Sequence, residues 1–317
     1  MIERFYTATD GTLRPTTTLQ KNCWLHVEAP TPAEVESLVD HFSVPRDYLT
    51  AVLDDRENPR AEGIDQATDE KPALILLHFP HETISPLGYR ELTTYPFAII
   101  LTPQALITVT NRPALFVQDF IVRKAYHVNT NEHENFALHL LWYICHSYVS
   151  YLEQIGSEMA HLEKSLSVAS GNNELYQLTA MQKSLIQFQI ALKRNQHLLN
   201  ELQTTNFYFE SDPFSELLQD VMIESDQAQT MTFRQKSILD EYNNMVSSVV
   251  SNNLNIIMKV LTSITIILTI PTIIGGIYGM NVKLPGAAFA HAFSLIMLIT
   301  LIICWLSGYW LRKRNFF

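Results

Sequence analysis

The sequence predicts an α+β cytosolic domain, an α/β sandwich with long helices, joined by a long stalk helix to a two-helix transmembrane domain. Three observations carry this. Residues 1–130 hold short apolar runs bounded by prolines, which read as strands. From Asn135 the β-signals stop and helical periodicity takes over. Near the C-terminus two uncharged runs, Val260–Met280 and Ala287–Leu311, are each long enough to cross a hydrocarbon core of about 30 Å as a helix. The expected divisions are therefore an α/β domain over 1–130, a helical bundle and stalk over 131–255, and a membrane hairpin over 256–317, with spans at about 258–280 and 288–311.

Within the first part, Thr31-Pro32-Ala33-Glu34 has the form of a capping box with proline at the first helical position, so a helix starts there. PALILLHFP, Pro72–Pro80, reads as one strand, and YPFAIILTPQALITVTNRP as two strands joined at Thr102-Pro103-Gln104. Two helical stretches follow, separated by the turn signal Ser170-Gly171-Asn172-Asn173. Asp212-Pro213 opens a third, with Asp212 as N-cap. Helical as far as Met280, it would be about 100 Å long at roughly 1.5 Å per residue.

The six-residue connector Asn281–Gly286 makes the two apolar runs a hairpin. Lys259 precedes the first and Arg312, Lys313 and Arg314 follow the second, while the connector offers only Lys283. By the positive-inside rule both termini are cytoplasmic and the connector faces outward. A buried hairpin of a soluble protein is the competing reading, and the uncharged lengths with basic flanks speak against it.

The first span carries a seam. Asn255, Thr262, Thr269 and Gly276 are spaced by seven, as are Met258, Thr265, Thr272 and Gly279. These are the a and d positions of a heptad and fall on one helical stripe. Upstream the same register continues through Glu241, Asn244, Ser248 and Ser251. Small-residue helix packing would explain the threonines alone. An unbroken register from the polar segment into the bilayer points further, to parallel copies lining a wettable channel. No carboxylate lies on the seam within the span, so a dehydrated divalent ion is not served. Mg²⁺ gives up water reluctantly and can pass largely hydrated if neutral oxygens hold its shell. The membrane potential would drive it, at about 4.6 kcal/mol for two charges across 100 mV.

Composition removes other classes. A formal net charge of −10 disfavours nucleic acid as partner. Cys23, Cys145 and Cys304 show no paired spacing, which suits a reducing compartment. The opening MIERFYTATDGTLRP lacks an apolar core, so no signal peptide is expected. There is no phosphate-binding G-x-x-x-x-G-K-[ST] loop, and no nucleophile, base and orienting group can be assembled, so an enzyme is not expected.

PTIIGGIYGMN, Pro271–Asn281, preceded by SNNLNIIMKVLT and followed by a second span and the basic tail LRKRNFF, resembles the CorA family of magnesium channels. The similarity is close from Asp220 to Gly286 and fainter over Val44–Arg60. It implies a homopentamer in which a funnel-shaped cytosolic domain feeds a five-helix pore, with Gly279, Met280 and Asn281 as the outer mouth that selects hydrated Mg²⁺. Many members carry an acidic residue in the connector, whereas Val282–His291 contains Lys283 and no carboxylate. Relatives also bind regulatory Mg²⁺ between subunits, which would make Asp220 and Glu224 candidates facing Asp54 or Asp55 of the next chain. On patterning alone Asp220 and Glu224 are a solvated charged face.

Two histidine groupings, His78 and His81 with Glu82, and His139 with Cys145 and His146, raise a transition-metal site as a further reading; lone histidines on such elements are usually structural. The expected function is a channel in the plasma membrane, embedded in lipid, that admits Mg²⁺, with Co²⁺ or Ni²⁺ as further ions, and is gated by cytosolic Mg²⁺. One alternative is a zinc transporter of similar layout, although zinc-moving relatives carry Ile at the Met280 position. Another is a membrane-anchored receptor, against which the short connector argues, since no outer domain fits in it.

Overall fold

The computed structural model describes residues 1–9, 11–64, 71–122, 128–166, 172–204, 212–280 and 291–314. In chain order the elements are β1 Ile2–Thr7, β2 Leu13–Pro15, β3 Cys23–Glu28, α1 Pro32–Phe42, α2 Arg46–Thr50, β4 Arg60–Glu62, β5 Ala73–Ile84, β6 Arg90–Leu101, β7 Ala105–Thr110, α3 Leu115–Val122, α4 His133–Leu166, α5 Asn172–Thr204, α6 Asp212–Tyr278 and α7 Ala292–Lys313. They divide into two units, Met1–Glu241 and Tyr242–Phe317, and α6 contributes to both.

Local chemistry accounts for many boundaries in the first unit. Thr31 caps α1 by accepting from the Glu34 N–H, and the Glu34 carboxylate accepts from the Thr31 N–H at 2.8 Å, the reciprocal pairing of a capping box. β5 and β6 form an antiparallel pair across all twelve of their residues. Gly88 closes the turn between them at φ +82°, a region that penalises any Cβ. The expected strand junction at Thr102 is likewise present: its hydroxyl accepts from the Ala105 N–H at 3.0 Å as β6 ends and β7 begins.

The sheet has seven strands in the order β2-β1-β3-β7-β6-β5-β4. Every neighbouring pair is antiparallel except β3 with β7. Helices cover both faces. On one, Leu25, Leu74, Leu76, Ile100 and Ile107 pack against Val35 and Leu38 of α1 and Leu49 of α2. On the other, the Trp24 ring packs at a tilt against Phe136 of α4 with centroids 5.0 Å apart, and Phe120 of α3 lies 5.1 Å from Phe136. An α/β sandwich with long helices is thus the architecture, as expected.

β5 and β6 extend past the rest of the sheet, which would leave backbone groups on their outer edges unpaired. Side chains of α5 occupy those edges. The buried Asn195 carboxamide accepts from the His78 N–H at 2.9 Å and donates to the His78 carbonyl at 2.8 Å. The Tyr148 hydroxyl of α4 donates to the same carbonyl at 3.0 Å, and Ser184 accepts from the Leu92 N–H at 2.8 Å. Towards its N-terminal end α6 is held against its neighbours by His146 and Glu224, 2.7 Å apart, and by Ser225 and Gln229, which both donate to Gln196.

In the second unit, α7 and the C-terminal part of α6 are long and apolar enough to cross a bilayer, and only 6% of each apolar window is buried within the chain. The helix of a soluble core would be mostly buried, so that competing reading fails.

Candidate functional site

The two sides of α6 within the second unit differ. Val260, Ser263, Ile267, Ile270 and Ile274 are buried or half-buried and recur every three or four residues, which places them on one face. That face meets α7: the Cys304 thiol donates to the Ile267 carbonyl at 3.7 Å, and the Ile267 side chain lies 3.8 Å from where a Cβ on Gly308 would stand. The hydrogen bond has a cause in the sequence. Pro271 has no N–H, so the carbonyl four residues earlier loses its helical partner, and the thiol takes that place.

On the far side of the same helix lie Asn255, Met258, Thr262, Thr265, Thr269, Thr272 and Gly276, all exposed. The threonines fold back on the helix. Thr265 donates to the Leu261 carbonyl at 2.8 Å, Thr269 to that of Thr265 at 2.7 Å, and Thr272 to that of Leu268 at 2.9 Å. A Cβ placed on Gly276 would meet open space, so this glycine serves no packing within the chain and leaves backbone accessible on the stripe. α6 stops at Tyr278, where the Gly279 N–H donates to the Gly275 carbonyl at 2.9 Å and the exposed Met280 bends away. At Gly279 a Cβ would come within 3.1 Å of the Gly275 carbonyl oxygen, so the helix end has little room for a side chain there. Asn281 and the connector to His291 fall largely outside the described residues, as does the side chain of Asp212.

Residues 20–313 match the family model described as CorA-like Mg²⁺ transporter protein. The chain belongs to this family. Its sequence is 25% identical over 297 residues to the cobalt/magnesium transport protein CorA of Methanocaldococcus jannaschii, covering 92% of this chain and 90% of the relative. The fold matches the complete structure of the CorA magnesium transporter from the same organism with a TM-score of 0.82, at 21% identity, over 100% of this chain and 99% of that one. It also matches the cytoplasmic domain of ZntB from Vibrio parahaemolyticus, with a TM-score of 0.59 at 16% identity over 79% and 98% of the two chains. CorA-like membership makes the chain a membrane transport protein with two candidate spans.

The four acidic candidates of this CorA-like chain occupy unlike surroundings. Asp220 is exposed, and so are Asp54 and Asp55. Asp54 accepts from the Arg56 N–H at 2.9 Å, and Asp55 lies 3.6 Å from Arg112. Glu224, four residues after Asp220 on α6, turns inward to His146, whose ring stacks on Trp142 at 4.8 Å. No local pattern marks this partner, because 78 positions separate the two residues. The transition-metal reading finds no support: among the described residues no three His, Cys, Asp or Glu side chains gather around a common point. His78 is buried with its ring against the Glu57 carbonyl at 2.8 Å, and burial pushes its pKa down. His81 faces the Pro113 carbonyl instead, and the Cys145 thiol is pushed up to about 12 by burial, which disfavours the thiolate a metal requires.

Proposed function

We propose that five copies of the chain surround an axis with their α6 stripes facing inward, and that this pore admits hydrated Mg²⁺ into the cytosol down the membrane potential. The observation that carries the proposal is the two-sidedness of α6. One face is covered by α7, while the opposite face is polar, exposed and free of charge. Hydrocarbon offers such a stripe nothing, whereas neighbouring stripes around water would use each threonine oxygen, the Asn255 carboxamide and the backbone at Gly276 to bind the ion's water shell. Neutral groups also bind weakly enough to release it. Met258, the one large apolar residue on the stripe between Asn255 and Gly279, is placed to gate by dewetting.

Gly279, Met280 and Asn281 form the outer filter in this reading, at the point where α6 ends. Co²⁺ enters as a further substrate by way of the cobalt/magnesium relative, and Ni²⁺ by its chemical likeness. Cytosolic Mg²⁺ bound between subunits closes the pore, with Asp220 as ligand from one chain and Asp54 or Asp55 from the next. Glu224 is the weaker of the α6 candidates because His146 already engages it. The membrane is the plasma membrane, with both termini in the cytosol. A second reading, zinc transport, draws on the likeness to the ZntB cytoplasmic domain; Met280 in place of Ile speaks for Mg²⁺.

Mg²⁺ entry into liposomes carrying the purified protein tests the stripe. Thr272→Val removes a hydroxyl at constant shape and lowers flux at least about five-fold, the equivalent of roughly 1 kcal/mol for one hydrogen bond. Ile274→Val, on the α7-facing side, leaves flux within about two-fold. Equal effects at the two positions would make the stripe a packing surface and overturn the proposal.

A further inference from the structure

Charge is divided sharply along the chain. Every Asp and Glu lies at or before Glu241, whereas residues 242–317 contain five cations, Lys259, Lys283, Arg312, Lys313 and Arg314, and no carboxylate side chain. Three of these cations are consecutive and exposed at the C-terminal end of α7. No anionic side chain of their own unit is there to neutralise them. Beside them is a band of aromatic groups: the Arg314 guanidinium sits 5.5 Å over the Trp310 ring, and Trp305 stacks on Tyr309 at 6.0 Å. Rings with one apolar and one polar side settle at the headgroup level of a bilayer. Immediately before the cations is an apolar groove of about 490 Å³, formed by Ile266 of α6 with Leu306, Ser307, Tyr309, Trp310 and Leu311 of α7.

We propose that this groove is a binding site for an anionic glycerophospholipid, with an acyl chain along Ile266 and Leu306 and the phosphate held by Arg312, Lys313 and Arg314. The groove alone would take any hydrocarbon. Charge complementarity selects the occupant. Trp310 and Leu311 are within about one helical turn of all three cations, at most about 6 Å of rise, so a chain seated in the groove delivers its headgroup to them. A zwitterionic headgroup would bring a cation that cancels its phosphate at the cluster, whereas one with net negative charge brings an excess of anion. Each Lys or Arg near such a surface favours the anionic lipid by about five-fold.

The test uses full-length protein carrying Trp305→Phe, in which Trp310 is the remaining indole of residues 242–317, since Trp24 and Trp142 lie in the first unit. The protein is reconstituted in phosphatidylcholine vesicles containing increasing fractions of phosphatidylglycerol, with bromine on the acyl chains of one lipid or the other. Brominated phosphatidylglycerol quenches Trp310 at a mole fraction at least about five-fold lower than brominated phosphatidylcholine. Arg312→Gln with Lys313→Gln abolishes the difference. So does Ser307→Phe, which fills the groove and leaves every charge in place. A preference that survives Ser307→Phe would mean the cations gather lipid diffusely, and the groove is not the site. Equal quenching by both lipids would remove headgroup selection. Quenching by neither would mean that a second copy of the chain covers the groove. Each of these three results overturns the proposal, and none depends on whether the protein conducts Mg²⁺.

Discussion

The two units share one way of satisfying polar groups, hydroxyls folded back on the helix as at Thr179, Ser184 and Thr232, and differ in the use of partners distant in sequence. In Met1–Glu241 the partner is often distant in sequence: Asn195 completes the hydrogen bonding of His78 from 117 positions away, and Ser184 does so for Leu92 across 92. In Tyr242–Phe317 the threonine hydroxyls reach only to the carbonyl four residues earlier. The difference follows from solvent. A domain in water can leave a group exposed until a tertiary partner arrives, and then gains by burying it. A helix in hydrocarbon has no such interval, so its polar groups must be satisfied within the segment. Among the described residues of the second unit two depart from this: Cys304 reaches across to Ile267, where Pro271 removes the local donor, and the buried Ser263 hydroxyl has no partner.

That contrast predicts unequal sensitivity to mutation. The largest effect is expected from Asn195→Leu, which leaves the His78 N–H buried without an acceptor and costs about 3 kcal/mol. Thermal unfolding of the detergent-solubilised protein would show it as an early loss of the α/β domain. A shift equal to that of a conservative surface substitution would mean that another group caps the β5 edge.

Acid sharpens the comparison next, because the long-range network of the first unit contains a titratable member. His26 is buried, its Nδ1 2.9 Å from the Thr108 hydroxyl, which also accepts from the Trp24 indole N–H at 2.9 Å. Burial, aided by the N-terminal ammonium, lowers its pKa to about 4. An unfolded chain therefore takes up this proton near pH 6.5 while the folded one does not, so the contribution is absent above pH 6.5 and destabilises progressively as pH falls towards 4. Between pH 6.5 and 5 the loss is about 2 kcal/mol. His26→Gln should flatten that part of the stability profile, measured by unfolding at fixed temperature across the range. An unchanged slope would assign the acid sensitivity to other groups.

Smallest is Cys304→Ala. The Ile267 carbonyl loses the thiol but remains in a helix with several neighbours, and an interhelical bond of this kind is worth about 0.6 kcal/mol in a membrane. The expected outcome is a slight loss of hairpin stability by unfolding in mixed micelles. A loss of several kcal/mol would show that the proline-freed carbonyl has no alternative and would weaken the distinction between the units.

What could be read from the sequence divides along the same line. Thr31 with Glu34, the strand runs near Ala73 and Tyr95, and the seven-residue repeat along α6 are local patterns, and all three appear in the structure. The parallel pairing of β3 with β7 left no such mark, since Cys23 and Ala105 meet only after the chain has built β5 and β6 between them. For the candidate site, the polar stripe was visible as periodicity. Its opposite face was not, because Ser263, Ile267 and Ile274 look like any other residues of an apolar span until α7 covers them. Glu224 carries the same lesson: spacing paired it with Asp220, while folding gave it to His146.

The folded-back threonines also bear on the sign of the ion. Each hydroxyl hydrogen of Thr265, Thr269 and Thr272 points into its own helix, so what remains facing outward is a lone pair. Water around a cation presents both its hydrogens on the outside of the shell, whereas water around an anion presents its oxygen and one hydrogen. In the proposed pore a wall of lone pairs meets two donors on each water of the first kind of shell and one on each water of the second. Beside Thr265, Thr269 and Thr272 chloride would thus be held less well than a hydrated cation by the orientation of its own hydration water, with no charged residue needed to repel it.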